Sequence, residues 1–321
     1  MKTKINNLII LQVLISLTIS FIVFPSEIIL SVNSAIKVWK DNLLPVAFPF
    51  FLISELLINY GFIELFSELS KNVMGYFFHL KGECSFVIIG SILSGFPSSS
   101  KYINTLLENN QITIKDATYL LKFNHFPNPL FVIATIGTIL LKNKKLGTII
   151  LYSIIISNFI IALIFRPKQY KYKHEKISIK KAITDMNKKR TNNHSSFSEL
   201  LANAIINSFN TLILLLGIII SFFILTSILK KVFNLPVTIF SLISGILEMT
   251  QGINNISLLN LSLKVKAIII TFLISFGGLS IHMQVMSILS KTQIKYIPYL
   301  ISRILHAVIS SVITYILFIF L

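Results

Sequence analysis

Apolar residues in this chain come in blocks long enough to bury helices on every side, separated by short polar interruptions. A bilayer crossing needs about 20 such residues. The pattern therefore predicts a first helix near Leu8 to Phe24, a second span from Leu43 to Asn59, a third from Ile112 through Leu141, and a fourth from Leu146 to Phe165. After a hydrophilic stretch come a fifth span, Leu200 to Leu229, a sixth containing Gly277 and Gly278, and a last from about Ile297 to Leu321. Between the first two spans, Ser31 to Asn42 carries Lys37, Trp39 and Lys40, the composition of an interfacial turn with an aromatic anchor. Apolar and polar residues from Gly61 to Leu80 repeat at helical spacing, which predicts an amphipathic helix lying on the membrane surface.

Four interruptions fall inside apolar segments. Ser94 to Lys101 reads SGFPSSSK. Gly95 and Pro97 must stop a helix there, because glycine has low helix propensity and proline lacks an N–H and clashes with the preceding turn. Ser98, Ser99 and Ser100 are N-cap residues for the helix that follows, so Cys84 to Asn110 reads as a broken hairpin. Asn124 to Pro129, NHFPNP, interrupts the third span; Glu248 to Gly252 breaks a short apolar segment; Gly277 and Gly278 lie in the sixth span. Lipid leaves a broken helix's N–H and C=O groups without partners, so such breaks are expected to line a polar cavity. Half-helix ends facing a cavity are how many secondary transporters hold their substrates.

Shifted by about 154 residues, the chain overlays itself: Ser91 to Ser100 meets Gly245 to Asn254, and the Asn124 break meets Ser275 to His282. This divides the sequence into residues 1–42, an N-terminal transmembrane helix and interfacial turn; 43–165, a first repeat; 166–198, a linker; and 199–321, a second repeat. The linker holds ten Lys or Arg against Glu175 and Asp185. The positive-inside rule puts it in the cytoplasm, and its polarity predicts a flexible, partly helical segment. Counting crossings from there inverts the repeats. The expected fold is an all-α polytopic membrane protein of two inverted repeats, with broken helices, re-entrant hairpins and about seven crossings.

Composition agrees. Of 321 residues 54% are apolar and 13% charged, outside the soluble globular range. The net charge of +17 is concentrated in the linker and the flanks of spans, so it reads as topogenic rather than as a nucleic-acid surface. Pro25 and Glu27 follow the first apolar run without a small-residue cleavage site, so that run reads as an uncleaved helix. Cys84 stands alone, which excludes an internal disulfide, and no His/Cys cluster suggests a metal. No Walker loop, HExxH or GxSxG occurs, so the chain reads as no enzyme and as needing no cofactor.

LLPVAFPFFLISELL, the SGFPSSSK break, NPLF at Asn128 to Phe131, LEMTQG and FGGLSIHMQ together resemble the YlbJ family of sporulation integral membrane proteins, also called stage V sporulation protein V. The resemblance runs from about Asp41 to the C-terminus. That family belongs to the nucleoside-recognition or Gate-domain group, so both repeats would be Gate-like. The resemblance implies a role in endospore formation: transport of dipicolinic acid across the outer forespore membrane.

For such a dianion, Ser94, Gly95, Pro97, Ser98, Ser99, Ser100 and Lys101 offer hydroxyls, free N–H groups and a charge at a helix N-terminus. The plainer reading has Ser98 capping and Lys101 snorkelling to headgroups. Glu248 is costly at mid-membrane and should face a cavity or a partner. It reads as a coupling site for H+ or Na+, a solute acceptor, or a structural ion pair with Lys101 or Arg303. Thr250, Gln251 and Gly252 complete that polar tip. Asn124 and Asn128 can orient a carboxylate or simply cap broken helices. Gly277 and Gly278 permit close backbone approach more readily than they bind. His282, with Gln284 beyond it, binds solute or packs. The expected partners are a small anionic solute and the bilayer; the coupling ion and a homo-oligomer stay open. A nucleoside or other polar solute, and a non-transporting scaffold, are the alternative readings.

Overall fold

The computed structural model describes residues 2–168, 174–192 and 194–320, which form helices and no strand. The centre of the linker, 169–173, and the last residue of the final span lie outside the described residues.

Helix α1 (Lys2–Val23) ends at Phe24, whose backbone leaves the helical region, and Pro25 opens α2 (Pro25–Val38) at its first turn, where a missing N–H costs nothing. From there the chain does not turn. α2 passes through a π-helical turn, Trp39–Leu43, directly into α3 (Leu44–Asn59). The interfacial turn expected at Ser31 to Asn42 is therefore helix, and the turn lies instead at Phe24. Trp39 marks a helix contact rather than a headgroup anchor: its Nε1–H donates to Leu212 O at 3.0 Å.

α4 (Phe62–Val73) is the amphipathic helix, followed by the first hairpin, α5 (Cys84–Ser94) and α6 (Ser98–Glu108). α7 (Ile114–Phe123) starts on a Thr113/Asp116 capping box and stops at Asn124; a π-helical segment, Phe131–Leu140, resumes the span. α8 (Lys144–Ile164) closes the first half. The linker carries α9 (Ile179–Asn192). The second half comprises α10 (Phe197–Phe233), the hairpin α11 (Val237–Leu247) and α12 (Met249–Leu258), α13 (Leu263–Phe276), α14 (Gly278–Ile288) and α15 (Tyr296–Phe318). Among the described residues, five stretches are long and apolar enough to cross a membrane: Pro25–Asn59, Lys144–Ile164, Phe197–Phe233, Leu263–Ile288 and Tyr296–Phe318. The third expected span corresponds to a shorter apolar helix, Phe131–Leu140, and the first falls on α1, of which Leu14–Val23 is predominantly apolar. The chain is an all-α polytopic membrane protein.

In lipid, helices gain little by hiding apolar surface from one another, so association depends on close packing and interhelical hydrogen bonds. Both are present. A Cβ on Gly137 would lie 2.7 Å from Gly147 Cα, and one on Gly252 2.0 Å from Gly245 Cα, so only glycine allows these backbone approaches. α13 and α15 are joined by Ser310 Oγ–Ser275 Oγ at 2.7 Å and Thr314 Oγ1–Thr271 Oγ1 at 3.0 Å. Helices α2–α3 run antiparallel to α10, pinned by Lys231–Glu27, Ser31–Ser227 and the Phe48–Phe209 rings. α15 turns Ile301, Ile304, Val308 and Val312 outward as an apolar ridge suited to lipid.

The linker is held, not loose, where it is described. Glu68 on α4 is buried; it accepts from Ser178 N at 3.0 Å and pairs with Lys71 at 2.7 Å and Lys181 at 3.7 Å. Ala182 of α9 is fully buried in this contact.

Candidate solute cavity

The four breaks read from the sequence are breaks in the structure, and residues beside each face one another. Gly95 ends α5 with φ +80°, and a Cβ there would strike Asn128 N at 2.6 Å, so the first-half breaks touch. Gly277 ends α13 with φ +93° and Gly278 follows at φ +66°, its Cα facing Met249 N at the start of α12. Such φ values favour glycine. Between these pairs lies a cavity of about 100 Å³, well above the roughly 10–15 Å³ that one water requires.

Its polar lining comes from Asn42, Ser94, Asn128, Glu248, Thr250 and Gln284, and its apolar walls include Phe96, Phe131, Ile219 and Ile281. Phe96 and Met249, and likewise Asn128 and Ile281, are related by an offset close to the one that overlays the two halves, and all four line this cavity. The first turns of the π-helical segment, α12 and α14 border it, so helix N-termini with their partial positive charge surround the space.

Glu248 lines the cavity and caps α12. Its Oε2 accepts from Thr250 Oγ1 at 2.6 Å and Gln251 N at 2.9 Å. No ion pair to Glu248 occurs among the described residues, which sets aside the pairing with Lys101 or Arg303. Asn128 also caps: its Oδ1 accepts from Leu130 N and Phe131 N, and its Nδ2 donates to Leu93 O at 3.1 Å, tying the Asn128 break to the end of α5.

Other residues singled out in the sequence lie elsewhere. Ser94 touches the cavity, but its hydroxyl is 2.6 Å from both Gly90 O and Ser98 Oγ. Ser98 donates to Gly95 O and Ser100 to Pro97 O; Ser99 and Pro97 are buried in the hairpin. Lys101 neither faces the cavity nor snorkels. Its Nζ pairs with Glu55 at 3.1 Å and lies 4.6 Å from the Phe51 ring centroid. Gln251 accepts from Thr226 on α10, and Gly252 packs against Gly245. His282 is packed: Phe276 O lies 2.9 Å from Nε2 and Tyr296 OH 3.0 Å from Nδ1. Asn124 is buried and does not line the cavity. Asn42 is a lining residue that the reading of Ser31 to Asn42 as a turn concealed.

A second polar region, which the sequence does not bring together, lies deeper in the bundle. Arg303, His306, His125 and Asn158 are buried together where α7, α8, α13 and α15 meet. Arg303 donates to Lys122 O and lies 3.0 Å from His306 Nδ1; Asn158 donates to His125 O at 2.8 Å. Phe96 stacks on His125 with ring centroids 4.7 Å apart, so one phenyl ring borders both regions.

Across known proteins, the chain is 29% identical over 335 aligned positions to the sporulation integral membrane protein YlbJ of Bacillus subtilis (strain 168), with 97% of this chain and 82% of that protein covered. The likeness supports the YlbJ family. No family model matches the chain, and no solved structure does.

Proposed function

We propose that this chain is a sporulation membrane protein whose work is transport, carrying dipicolinic acid, a small organic dianion, across the outer forespore membrane by alternating access about the cavity. The observation that carries the reading is the convergence of matching helix breaks from both halves on one cavity inside the bundle, its walls largely apolar but holding Asn128, Glu248 and Gln284. A scaffold has no use for such breaks, each of which leaves backbone groups to be satisfied at depth. The similarity to YlbJ supports the sporulation setting. In this mechanism the inverted halves rock about the cavity, Asn128 and Gln284 orient the solute, and Glu248 is the site where a coupling proton or Na+ acts.

A second reading has its own support. The lining includes one carboxylate and no Lys or Arg, a set of donors and acceptors that suits a neutral polar solute such as a nucleoside. One experiment addresses both. In a sporulating strain lacking its own copy, the wild-type gene is expected to restore spore dipicolinate. Glu248→Gln, made and inserted, should leave it at least tenfold lower, in line with loss of a charged group from a transport site. Full restoration by that variant removes Glu248 from the mechanism, and failure of the inserted wild type removes dipicolinate as the solute.

A further inference from the structure

Charge is divided unevenly between the two polar regions. The cavity contains a carboxylate and no base, while Arg303 is fully buried with no carboxylate within ion-pair distance among the described residues. Part of the explanation is local. Arg303 donates to Lys122 O near the end of α7, while Ser275 O and Phe276 O at the end of α13 lie 3.2 Å from His306 Nδ1 and 2.9 Å from His282 Nε2. Each helix C-terminus carries about half a negative charge, which makes a buried cation tolerable there.

Those contacts leave polar atoms unused. Arg303 Nε, both side-chain polar atoms of Asn124, and Asn158 Oδ1 are buried without a hydrogen-bond partner. Buried groups of this kind are costly to leave unmade. Two of the atoms are donors and two are acceptors. Water can serve the amides, but only an anion also offsets the guanidinium, whose planar fork matches a carboxylate.

The route to this cluster passes Phe96. Its ring lines the cavity and stacks on His125; His125 Nδ1 lies 3.4 Å from Tyr299 OH, and the Tyr299 ring centroid is 5.6 Å from Arg303 Cζ. Phe96 and the His125 ring behind it stand between the two regions, so both rings must move to join them. We propose that the Arg303, Asn124 and Asn158 cluster is a carboxylate seat, which takes one carboxylate of a small dicarboxylate solute when Phe96 and the His125 ring move aside. This rests on the transport reading and supplies the positive charge that the cavity lacks.

The test is calorimetric titration of the purified full chain in lipid nanodiscs with dipicolinate and with its uncharged dicarboxamide. The wild type is expected to bind dipicolinate and reject the dicarboxamide. Arg303→Lys, which loses the fork, should bind about tenfold more weakly or worse. Asn124→Asp leaves Arg303 in place but puts a carboxylate into the cluster, and should abolish binding; it also carries the test if Arg303→Lys does not fold. Wild-type affinity in the folded variants overturns the carboxylate seat and leaves dicarboxylate transport standing. Equal binding of both probes by the wild type overturns the seat and favours the neutral solute. Binding of neither removes the dicarboxylate reading itself, and the seat with it.

Discussion

The two hairpins occupy equivalent places in the chain, yet spend their polar residues differently. In α5–α6 the serines bond within the hairpin and Lys101 is committed to Glu55. In α11–α12 the tip is poorer in polar residues, but its acid faces the cavity. Richness in hydroxyls and charge therefore does not locate a solute site. What matters is whether the group reaches the cavity: Glu248 lines it even while it caps α12, whereas Ser98, Ser99, Ser100 and Lys101 do not.

The same contrast governs packing and gives the largest expected effect. Gly252→Ala would push a methyl group onto the backbone of Gly245, where nothing can rotate away, and should cost about 3 kcal/mol or more. A glycine of the first-half hairpin makes the contrast: Gly90→Ala meets the edge of the Tyr102 ring at 2.7 Å, which can shift, and should cost about 1 kcal/mol. Thermal unfolding of the purified proteins checks this; equal losses would mean that the two hairpins are held alike.

Next in size is the Lys101–Glu55 pair. Lys101→Met leaves Glu55 largely buried without its cation and should destabilise by about 1–3 kcal/mol, while Lys101→Met with Glu55→Leu should recover most of the loss. If Lys101 is structural, the folded double variant keeps transport. A stable but inactive double variant would return Lys101 to the solute path.

The smallest effect concerns α9, which docks on the first half. Burial pushes the Glu68 carboxyl upward, but the hydrogen bonds from Lys71 and Ser178 N, with the charges of Lys71 and Lys181, outweigh it and hold Glu68 below its ordinary value of 4.5. A carboxyl depressed on folding stabilises fully above its unfolded value and loses that contribution as pH falls through the folded one. Lys71 is raised, chiefly by its hydrogen bond to Glu68, so its share is present below 10.5 and lost as pH rises through its higher folded value. Limited proteolysis of the linker should thus stay flat from about pH 5 to 9 and quicken below about pH 4. Glu68→Gln should raise cleavage at neutral pH; no change would show that α9 is held by other contacts.

Much of this was legible in the sequence, and the reason is local. Gly95 with Pro97, Pro127 with Pro129, and Gly277 stop helices through their own backbone chemistry, and Glu248 caps the helix after the fourth break, so the positions of all four were readable. Close approach at Gly277 and Gly278 was readable too: the first faces His125 and the second Met249 N. What escaped depends on distant partners. Ser31 to Asn42 looked interfacial because the acceptor for Trp39 is Leu212. Lys101 looked available because Glu55 lies one hairpin away. The Arg303 cluster draws on four helices, and no spacing in the chain announces it.

The length of α10 has a mechanical consequence. Its 37 residues extend about 55 Å, against a hydrocarbon core of about 30 Å, so even a steep tilt leaves two or more turns outside that core. The helix has no internal break, and along it Leu212 meets Trp39, Ile219 reaches the cavity and Thr226 bonds Gln251. A stiff rod gripped in this way acts as a lever: a small swing of its free end carries the cavity wall and the second hairpin together.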